Sequence, residues 1–224
     1  MNVVLPNRLT VDEFLAWSVR QERGKFELFD GVVVMQQSQQ WEHAKVKLEI
    51  VLVLRDAIKR AGLAYYAAPD GMTVRITERT AFEPDALVAP LPEPDRKSLE
   101  VPNPTIVVEV LSPSTARADA TTKLHYFQVP SIQHYLILDP DGFTITHHKR
   151  GVGDLIQTRV VTEGVLHLDP PGLEIEVKDI FGPGARTTPG THPRSDDLAA
   201  RRSWPQPITI RRRGQTAPTS RASS

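Results

Sequence analysis

The spacing of apolar residues predicts two helices in the first third of the chain. Thr10 followed by Glu13 has the spacing of a capping box, and apolar residues then recur at helical intervals, which predicts a short helix over residues 11 to 20. Residues 41 to 62 contain no proline, and one apolar face predicts a long helix that ends at Gly62. The residues assigned to that face are Ala44, Leu48, Val51, Leu52 and Ile58.

Short β-type segments follow these helices and separate them. Two apolar runs around Asp30-Gly31 predict a hairpin at residues 26 to 35. Segment 105 to 111 is apolar on both alternating faces except for one carboxylate, which is typical of a strand buried inside a sheet, and segment 132 to 138 is predicted to be another interior strand. A helix predicted at residues 119 to 128 joins them and implies a parallel pair. Further strands are expected at 63–68, 72–76, 86–89, 143–149, 155–162, 165–168 and 173–177, the last four as antiparallel additions.

Charge divides the chain into an acidic body and a basic tail. The 27 basic and 27 acidic residues cancel, but residues 183–224 hold eight Arg and two Asp, so that residues 1–182 carry 19 basic and 25 acidic side chains. We expect a folded domain at 1–182 and a disordered tail rich in Pro, Arg and Ser at 183–224. The Arg run at 211–213 is compatible with a solvated tail and with weak attraction to nucleic acid.

Several classes of protein are excluded by motifs that the sequence lacks. The chain has no cysteine, which excludes disulfides, thiolate zinc sites and a cysteine nucleophile. It begins without a signal-peptide pattern and has no apolar stretch near the ~18 residues of a membrane span, so we expect a cytoplasmic protein with no membrane partner. It shows no zinc finger, helix-turn-helix or Gly-rich phosphate loop, so sequence specificity and nucleotide dependence have no support.

Two carboxylates lie in or beside apolar strands. Glu109 lies inside the segment 105 to 111, where an unpaired charge is costly, and Asp85 follows Pro84 at the start of another strand. If those strands are neighbours, the two acids repel each other, which favours a raised pKa or a bound divalent cation. Oxygen ligands without cysteine indicate Mg²⁺ or Mn²⁺. Taken singly, a buried ion pair for Glu109 and a strand-entry cap for Asp85 also explain them.

Three further polar residues have a local explanation beside a functional one. Glu27 lies in the predicted hairpin and is either a solvated strand residue or a site acid. Lys123 follows Asp119 by four positions, which suits a weak helical ion pair, whereas an ammonium near a scissile phosphate stabilises developing charge. His43 lies near the start of the long helix, either on the surface or where an anion or metal-linked site is approached.

The order of short motifs along the chain carries a family resemblance. The motifs are TVDEFL from Thr10, FELFDGV from Phe26, His43, EPDALV from Glu83, VEVLSPST from Val108, Asp119, Lys123, Tyr126 and YLILDP from Tyr135. Together they resemble the Uma2 family, also called DUF820, over residues 9 to 181. The resemblance implies the PD-(D/E)xK restriction-endonuclease-like superfamily, with an α/β (α+β) fold in which helices flank a mixed β-sheet core and antiparallel strands follow at the C-terminal side.

The same resemblance implies a set of site residues. Asp85 matches the acid of the PD element, Glu109 matches the acid of the second element, and Glu27 matches the acid of the N-terminal element. These three are the implied metal ligands. Leu111 stands where the superfamily pattern has lysine, so Lys123 on the following helix is the implied substitute, as a lysine that has migrated along the chain.

The implied activity is Mg²⁺-dependent hydrolysis of DNA phosphodiester bonds by an endonuclease. Tyr126 shares a helix face with the migrated lysine and either joins the site or packs in the core, and His43 is a second accessory candidate. The acidic body favours the alternative of a catalytically weak nucleic-acid-binding or accessory protein, and a hydrolase of smaller phosphoesters is a third alternative. We also expect a homodimer, because edge strands in the region 143 to 177 need covering.

Overall fold

The protein combines three β-sheets with flanking helices. A computed structural model describes residues 2–3, 8–22, 24–36, 40–111, 123–153 and 155–182. The helices are α1 (Val11–Ser18), α2 (Trp41–Ala61), a 3-10 helix (Lys123–Gln128) and α3 (Val177–Phe181). The strands are β1 (Asn2–Val3), β2 (Phe26–Phe29), β3 (Val32–Met35), β4 (Tyr65–Pro69), β5 (Val74–Thr77), β6 (Thr80–Phe82), β7 (Ala86–Pro90), β8 (Ile106–Val110), β9 (His134–Asp139), β10 (Thr144–Arg150), β11 (Ile156–Val161), β12 (Val165–Leu168) and β13 (Leu173–Glu176).

The central sheet has six strands in the order β11-β10-β9-β8-β7-β4. β8 and β9 run parallel, and the other neighbours run antiparallel. This confirms the parallel pair predicted from segments 105 to 111 and 132 to 138. β8 is buried along its whole length because it lies between two core layers, with Val108 packed on the side of α2 and Val107 on the side of Tyr126. The predicted mixed sheet flanked by helices is therefore confirmed.

A second sheet, in the order β1-β3-β2-β6-β5, carries the N-terminal hairpin. Asp30 and Gly31 turn the chain with φ of 46° and 77°, a left-handed conformation that glycine adopts without strain. A Cβ atom at Gly31 would also lie 2.6 Å from Cβ of Arg8, so both the backbone conformation and the lack of space favour glycine at this position. The hairpin is confirmed. β6 was not predicted, because three residues are too few to show an alternation.

α2 confirms the predicted long helix and ends at Gly62, which has a left-handed φ of 63°. The predicted apolar face is confirmed at Val51 and Ile58, which are buried, and wrong at the other three positions, because Ala44 and Leu52 are exposed and Leu48 is 59% exposed. The buried residues of α2 are His43, Val46, Lys47, Ile50, Val51, Leu54, Ala57 and Ile58. Two of these are polar, so α2 presents a mixed surface to the sheet. Across the described ranges, α2 included, no helix is both long and apolar enough to cross a bilayer.

The C-terminal part of the fold contains the predicted antiparallel strands. β10 and β11 extend the central sheet, whereas β12 and β13 form a two-stranded sheet of their own, whose buried Leu166 and Ile175 join the core beneath α2. Of the helix predicted at residues 119 to 128, the described part is the 3-10 helix, and residues 119–122 lie outside the described residues. The predicted tail at 183–224 also lies outside them.

Candidate functional site

Asp85 lies at the start of β7, where β7 meets the end of β8. Its backbone N–H donates a 2.9 Å hydrogen bond to the carbonyl of Val108, and the N–H of Val110 donates a 2.7 Å bond to Oδ2 of Asp85. Because Ala86 pairs with Val108 in the antiparallel ladder, the same register places Asp85 opposite Glu109. The two strands predicted to bring these acids together are therefore neighbours, and Asp85 is 6% exposed.

Glu109 is 5% exposed within β8. The hydroxyl of Tyr126 donates a 2.8 Å hydrogen bond to its Oε1. Tyr126 is fully buried and packs edge-on against Phe82 and obliquely against Tyr135. Burial raises the pKa of Tyr126 well above that of a free tyrosine, and the charge of Glu109 raises it further. Tyr126 therefore belongs both to the core and to the site, and it acts as a neutral hydrogen-bond donor.

Glu27 is buried on β2, so the local explanation of Glu27 as a solvated strand residue is wrong. The N–H of Glu83 donates a 3.0 Å hydrogen bond to Oε1 of Glu27. Burial raises the pKa of the Glu83 side chain to about 7, and the charge of Glu27 adds to this effect. The charge of Glu27 also raises the pKa of Tyr126. Glu27 therefore belongs to one electrostatic group with the motif around Asp85, and we call Glu27, Glu83, Asp85 and Glu109 the acidic cluster.

His43 lies on the first turns of α2 and is buried, so its explanation as a surface histidine is wrong. Its Nε2 lies 3.4 Å from Oδ2 of Asp85. Among the described residues, Nδ1 of His43 has no hydrogen-bond partner. Burial alone would raise the pKa of Asp85, but His43 first and Lys47 second outweigh burial, and the pKa is lowered to about 2. Asp85 is therefore a carboxylate at every physiological pH.

Lys47 and Asp70 belong to the site although the sequence did not single them out. Nζ of Lys47 lies 2.6 Å from Oδ1 of Asp85 and 2.5 Å from Oδ2 of Asp70, and Lys25 also forms an ion pair with Asp70. Lys47 is 6% exposed. Burial lowers the pKa of Lys47, but the two carboxylates outweigh burial and raise it. The signal in the sequence was the spacing of Lys47 four residues after His43, which places both on one helix face.

Lys123 begins the 3-10 helix, but its side chain lies outside the described residues. The helix as a whole is anchored next to the acidic cluster, because Tyr126 lies in it and bonds to Glu109. The role of Lys123 stays a prediction.

The donor atoms of the acidic cluster suit a hard divalent cation, because such ions prefer oxygen ligands. The cation that Asp85 contacts in this structure is the ammonium group of Lys47. Within the described ranges, no three His, Asp or Glu side chains are grouped closely enough to hold one metal ion. The oxygen atoms of these residues fit Mg²⁺ or Mn²⁺ in their chemistry, although the described side chains do not surround one point in this structure. The ammonium group of Lys47 contacts the Asp85 oxygen for which a divalent cation would compete.

Comparisons with known proteins show which sequences this chain resembles. The model of the Uma2 family, described as "Putative restriction endonuclease", matches residues 11–180. The uncharacterized protein slr1290 of Synechocystis sp. is 29% identical over 178 residues, which cover 78% of this chain and 92% of that protein. The uncharacterized protein sll1609 of the same organism is 35% identical over 77 residues, which cover 33% of this chain and 42% of that protein.

A solved structure shares the fold. It is described as "a putative nuclease belonging to DUF820" from Anabaena variabilis, and it aligns with a TM-score of 0.62 and 20% sequence identity. The alignment covers 77% of this chain and 97% of that chain. At this level of identity the likeness concerns the arrangement of helices and strands.

Proposed function

Because the chain belongs to the Uma2 family of restriction-endonuclease-like proteins, we propose that it is an endonuclease that uses Mg²⁺ or Mn²⁺ to hydrolyse phosphodiester bonds of DNA. The proposed metal ligands are Asp85, Glu109 and Glu27, and Lys123 is the proposed migrated lysine. Tyr126 and His43 are the proposed positioning residues of the site.

One observation supports this proposal above the others, namely two buried acids at opposite positions of the neighbouring strands β7 and β8. The Val110 N–H donates a hydrogen bond to the carboxylate of Asp85, and the Tyr126 hydroxyl donates one to Glu109. Two carboxylates in such positions are costly unless a cation compensates them. A fold that keeps both acids ionisable and buried is suited to binding a metal rather than to packing alone.

The reaction assigned to this site is attack of water on phosphorus. The new bond forms between the water oxygen and phosphorus, the bond from phosphorus to one ester oxygen breaks, and the departing oxygen takes up a proton. A divalent metal, when bound, supplies polarisation of the phosphate and a lower pKa for the attacking water. The acidic cluster holds negative charge for that purpose, and Lys123 is proposed to stabilise charge that develops on the phosphate.

A catalytically weak nucleic-acid-binding protein is the second candidate, and Lys47 favours it. An ammonium group 2.6 Å from Oδ1 of Asp85 already neutralises that acid, so the fold can be stable without a metal. The two candidates differ in whether substitution of Asp85 removes a DNA cleavage activity or leaves DNA binding as the only measurable property.

The deciding experiment incubates the full chain with supercoiled and with single-stranded DNA in Mg²⁺, in Mn²⁺ and in EDTA. We expect metal-dependent cleavage that Asp85→Asn and Glu109→Gln each reduce by at least about 100-fold, because each removes charge that the metal requires. The matched control is Asp56→Asn, which neutralises an exposed carboxylate on α2. Cleavage that persists in Asp85→Asn or Glu109→Gln would contradict the proposed site. DNA binding without cleavage in any metal would favour the second candidate.

A further inference from the structure

We propose that Lys47 is a built-in cation of the acidic cluster, which occupies Oδ1 of Asp85 until a divalent metal displaces its ammonium group toward Asp70. The proposal rests on the proposed function, because it concerns the metal that Asp85 is proposed to bind. It makes Lys47 a residue that sets how strongly this chain binds its metal.

The position of Lys47 is fixed by the core beneath it. Val46 and Ile50, on the same buried side of α2, pack with Val108 of β8 in one apolar cluster. The backbone of Lys47 therefore cannot withdraw without disturbing that packing. The flexible four-carbon side chain can still rotate. The ammonium group can consequently leave Asp85 while α2 stays in place.

Oδ1 is the oxygen of Asp85 for which two cations would compete. The other oxygen, Oδ2, accepts the Val110 N–H and lies 3.4 Å from Nε2 of His43. Nζ of Lys47 contacts Oδ1 at 2.6 Å. An ammonium and a divalent ion that share one buried carboxylate repel each other strongly, because the site is screened less than the protein surface.

Asp70 offers the displaced ammonium group a second carboxylate. Its Oδ2 already lies 2.5 Å from Nζ of Lys47. Lys25, which precedes β2, forms an ion pair with the same carboxylate, so Asp70 has two lysine partners. Movement of Lys47 from Asp85 toward Asp70 therefore keeps the ammonium paired and frees Oδ1.

The test measures binding of Mn²⁺ alone by isothermal titration calorimetry, with the full-length chain. Lys47→Met removes the charge and keeps an unbranched side chain, and we expect Mn²⁺ to bind at least about tenfold more tightly than to the wild type. Lys47→Arg keeps the charge, and we expect its affinity to stay within about threefold of the wild type. The matched control is Lys45→Met, a half-exposed lysine of the same helix, for which we expect a change of less than about twofold.

A second variant covers the case in which Lys47→Met does not fold. Lys47→Met combined with Asp70→Asn removes one positive and one negative charge, which leaves the local net charge unchanged. Asp85 then lacks its lysine, and the partly exposed Lys25 lacks its carboxylate. We expect this double variant also to bind Mn²⁺ more tightly than the wild type, because Oδ1 of Asp85 has been released. Circular dichroism and thermal unfolding identify which variants are folded.

The outcomes separate this proposal from the proposed function. An unchanged or weaker Mn²⁺ affinity in the folded charge-removing variants overturns the role of Lys47, even if the wild type cleaves DNA. Tighter binding in these variants supports the role of Lys47, even if no variant cleaves DNA, in which case the proposed nuclease activity alone fails. If neither the wild type nor the charge-removing variants bind Mn²⁺, both proposals fail.

Discussion

The N–H of Val110 donates a 2.7 Å hydrogen bond to Oδ2 of Asp85, so the end of β8 holds the carboxylate at the start of β7. This bond is part of the fold as well as of the site. Asp85→Ala leaves the Val110 N–H without its acceptor and removes one of the two carboxylates that pair with the buried Lys47. We expect a loss of about 3 kcal/mol in the free energy of unfolding, measured by urea denaturation. Asp85→Asn keeps an acceptor for Val110, and we expect roughly half that loss.

The exposed Asp56→Ala provides the control for these two variants, and we expect it to change the free energy of unfolding by less than about 0.5 kcal/mol. Equal losses for Asp85→Ala and Asp85→Asn would show that the hydrogen bond to Val110 contributes nothing to stability.

Tyr126→Phe removes the 2.8 Å hydrogen bond to Glu109 and keeps the ring that packs in the core. Glu109 then loses one donor at a buried carboxylate, and we expect a loss of about 1 to 2 kcal/mol in the free energy of unfolding. If Tyr126 positions Glu109 for metal binding, Mn²⁺ affinity also falls, by about tenfold. Tyr65→Phe on β4 is the matched control. A Mn²⁺ affinity that matches the wild type would restrict Tyr126 to a packing role.

The hairpin and the central strands could be predicted from the sequence because their signals are local. Asp30-Gly31 supplies the left-handed turn, and β8 has apolar residues on both faces, so each element is determined by a few neighbouring residues. The opposite positions of Asp85 and Glu109 were predictable as far as the strands were, since they follow from the register of β7 on β8. The ion pair between Asp85 and Lys47 was not predicted.

The buried face of α2 could be predicted only in part, because long-range charge decides the burial of Lys47. Local hydrophobicity favours burial of Leu48 over Lys47, yet Leu48 is exposed and Lys47 is buried. Lys47 is stable there only because Asp70 and Asp85 contact its ammonium group, and these acids lie 23 and 38 positions further along the chain. A helix that packs over the end of a sheet carrying acids can bury a cation, and the periodicity of apolar residues does not reveal this.

Two buried histidines form a hydrogen-bonded series that requires both rings to be neutral. Nε of Arg159 donates to Nδ1 of His147 at 3.2 Å, so His147 carries its proton on Nε2 and donates to Nδ1 of His134 at 2.8 Å. His134 in turn donates from Nε2 to the carbonyl of Pro170 at 2.9 Å. Burial lowers the pKa of His134 to about 4 and that of His147 to about 3, and for His147 the neighbouring His134 adds to the effect.

Because His134 and His147 are neutral in the folded protein, we expect the protein to lose stability in mild acid. In the unfolded chain both histidines titrate near pH 6.5, so between that pH and about pH 4 the unfolded state binds more protons than the folded state, and the free energy of unfolding falls as the pH falls. We expect His147→Gln to have a lower free energy of unfolding than the wild type at pH 7.5. Between pH 7.5 and 4.5, however, the free energy of unfolding of this variant should fall by on the order of 2 kcal/mol less than that of the wild type. Urea denaturation at both pH values measures this. The exposed His167→Gln, as control, should keep the pH dependence of the wild type.

The homodimer predicted from the sequence stays a prediction, and β11 is where it can be tested. β11 lies at one edge of the central sheet, and Val160 on it is 63% exposed. Edge strands with exposed apolar residues pair readily with other chains, and a charged residue opposes such pairing. We expect a dimer mass by light scattering for the wild type and a monomer mass for Val160→Lys. Glu163→Lys, in the following turn, is the control for added positive charge. A monomeric wild type would rule out the dimer.

The substitution Lys123→Ala tests whether Lys123, the proposed migrated lysine, has a different role from Lys47. The two lysines are proposed to act at different stages, because Lys47 contacts Asp85 before a metal binds, whereas Lys123 is proposed to stabilise charge on a bound phosphate. We therefore expect Lys123→Ala to slow DNA cleavage by about 100-fold and to change Mn²⁺ affinity by less than about threefold. Lys97→Ala, which removes an exposed lysine, should alter neither quantity. A Lys123→Ala protein that cleaves DNA at the wild-type rate would contradict the migrated lysine and leave Lys47 as the lysine nearest to Asp85 among the described side chains.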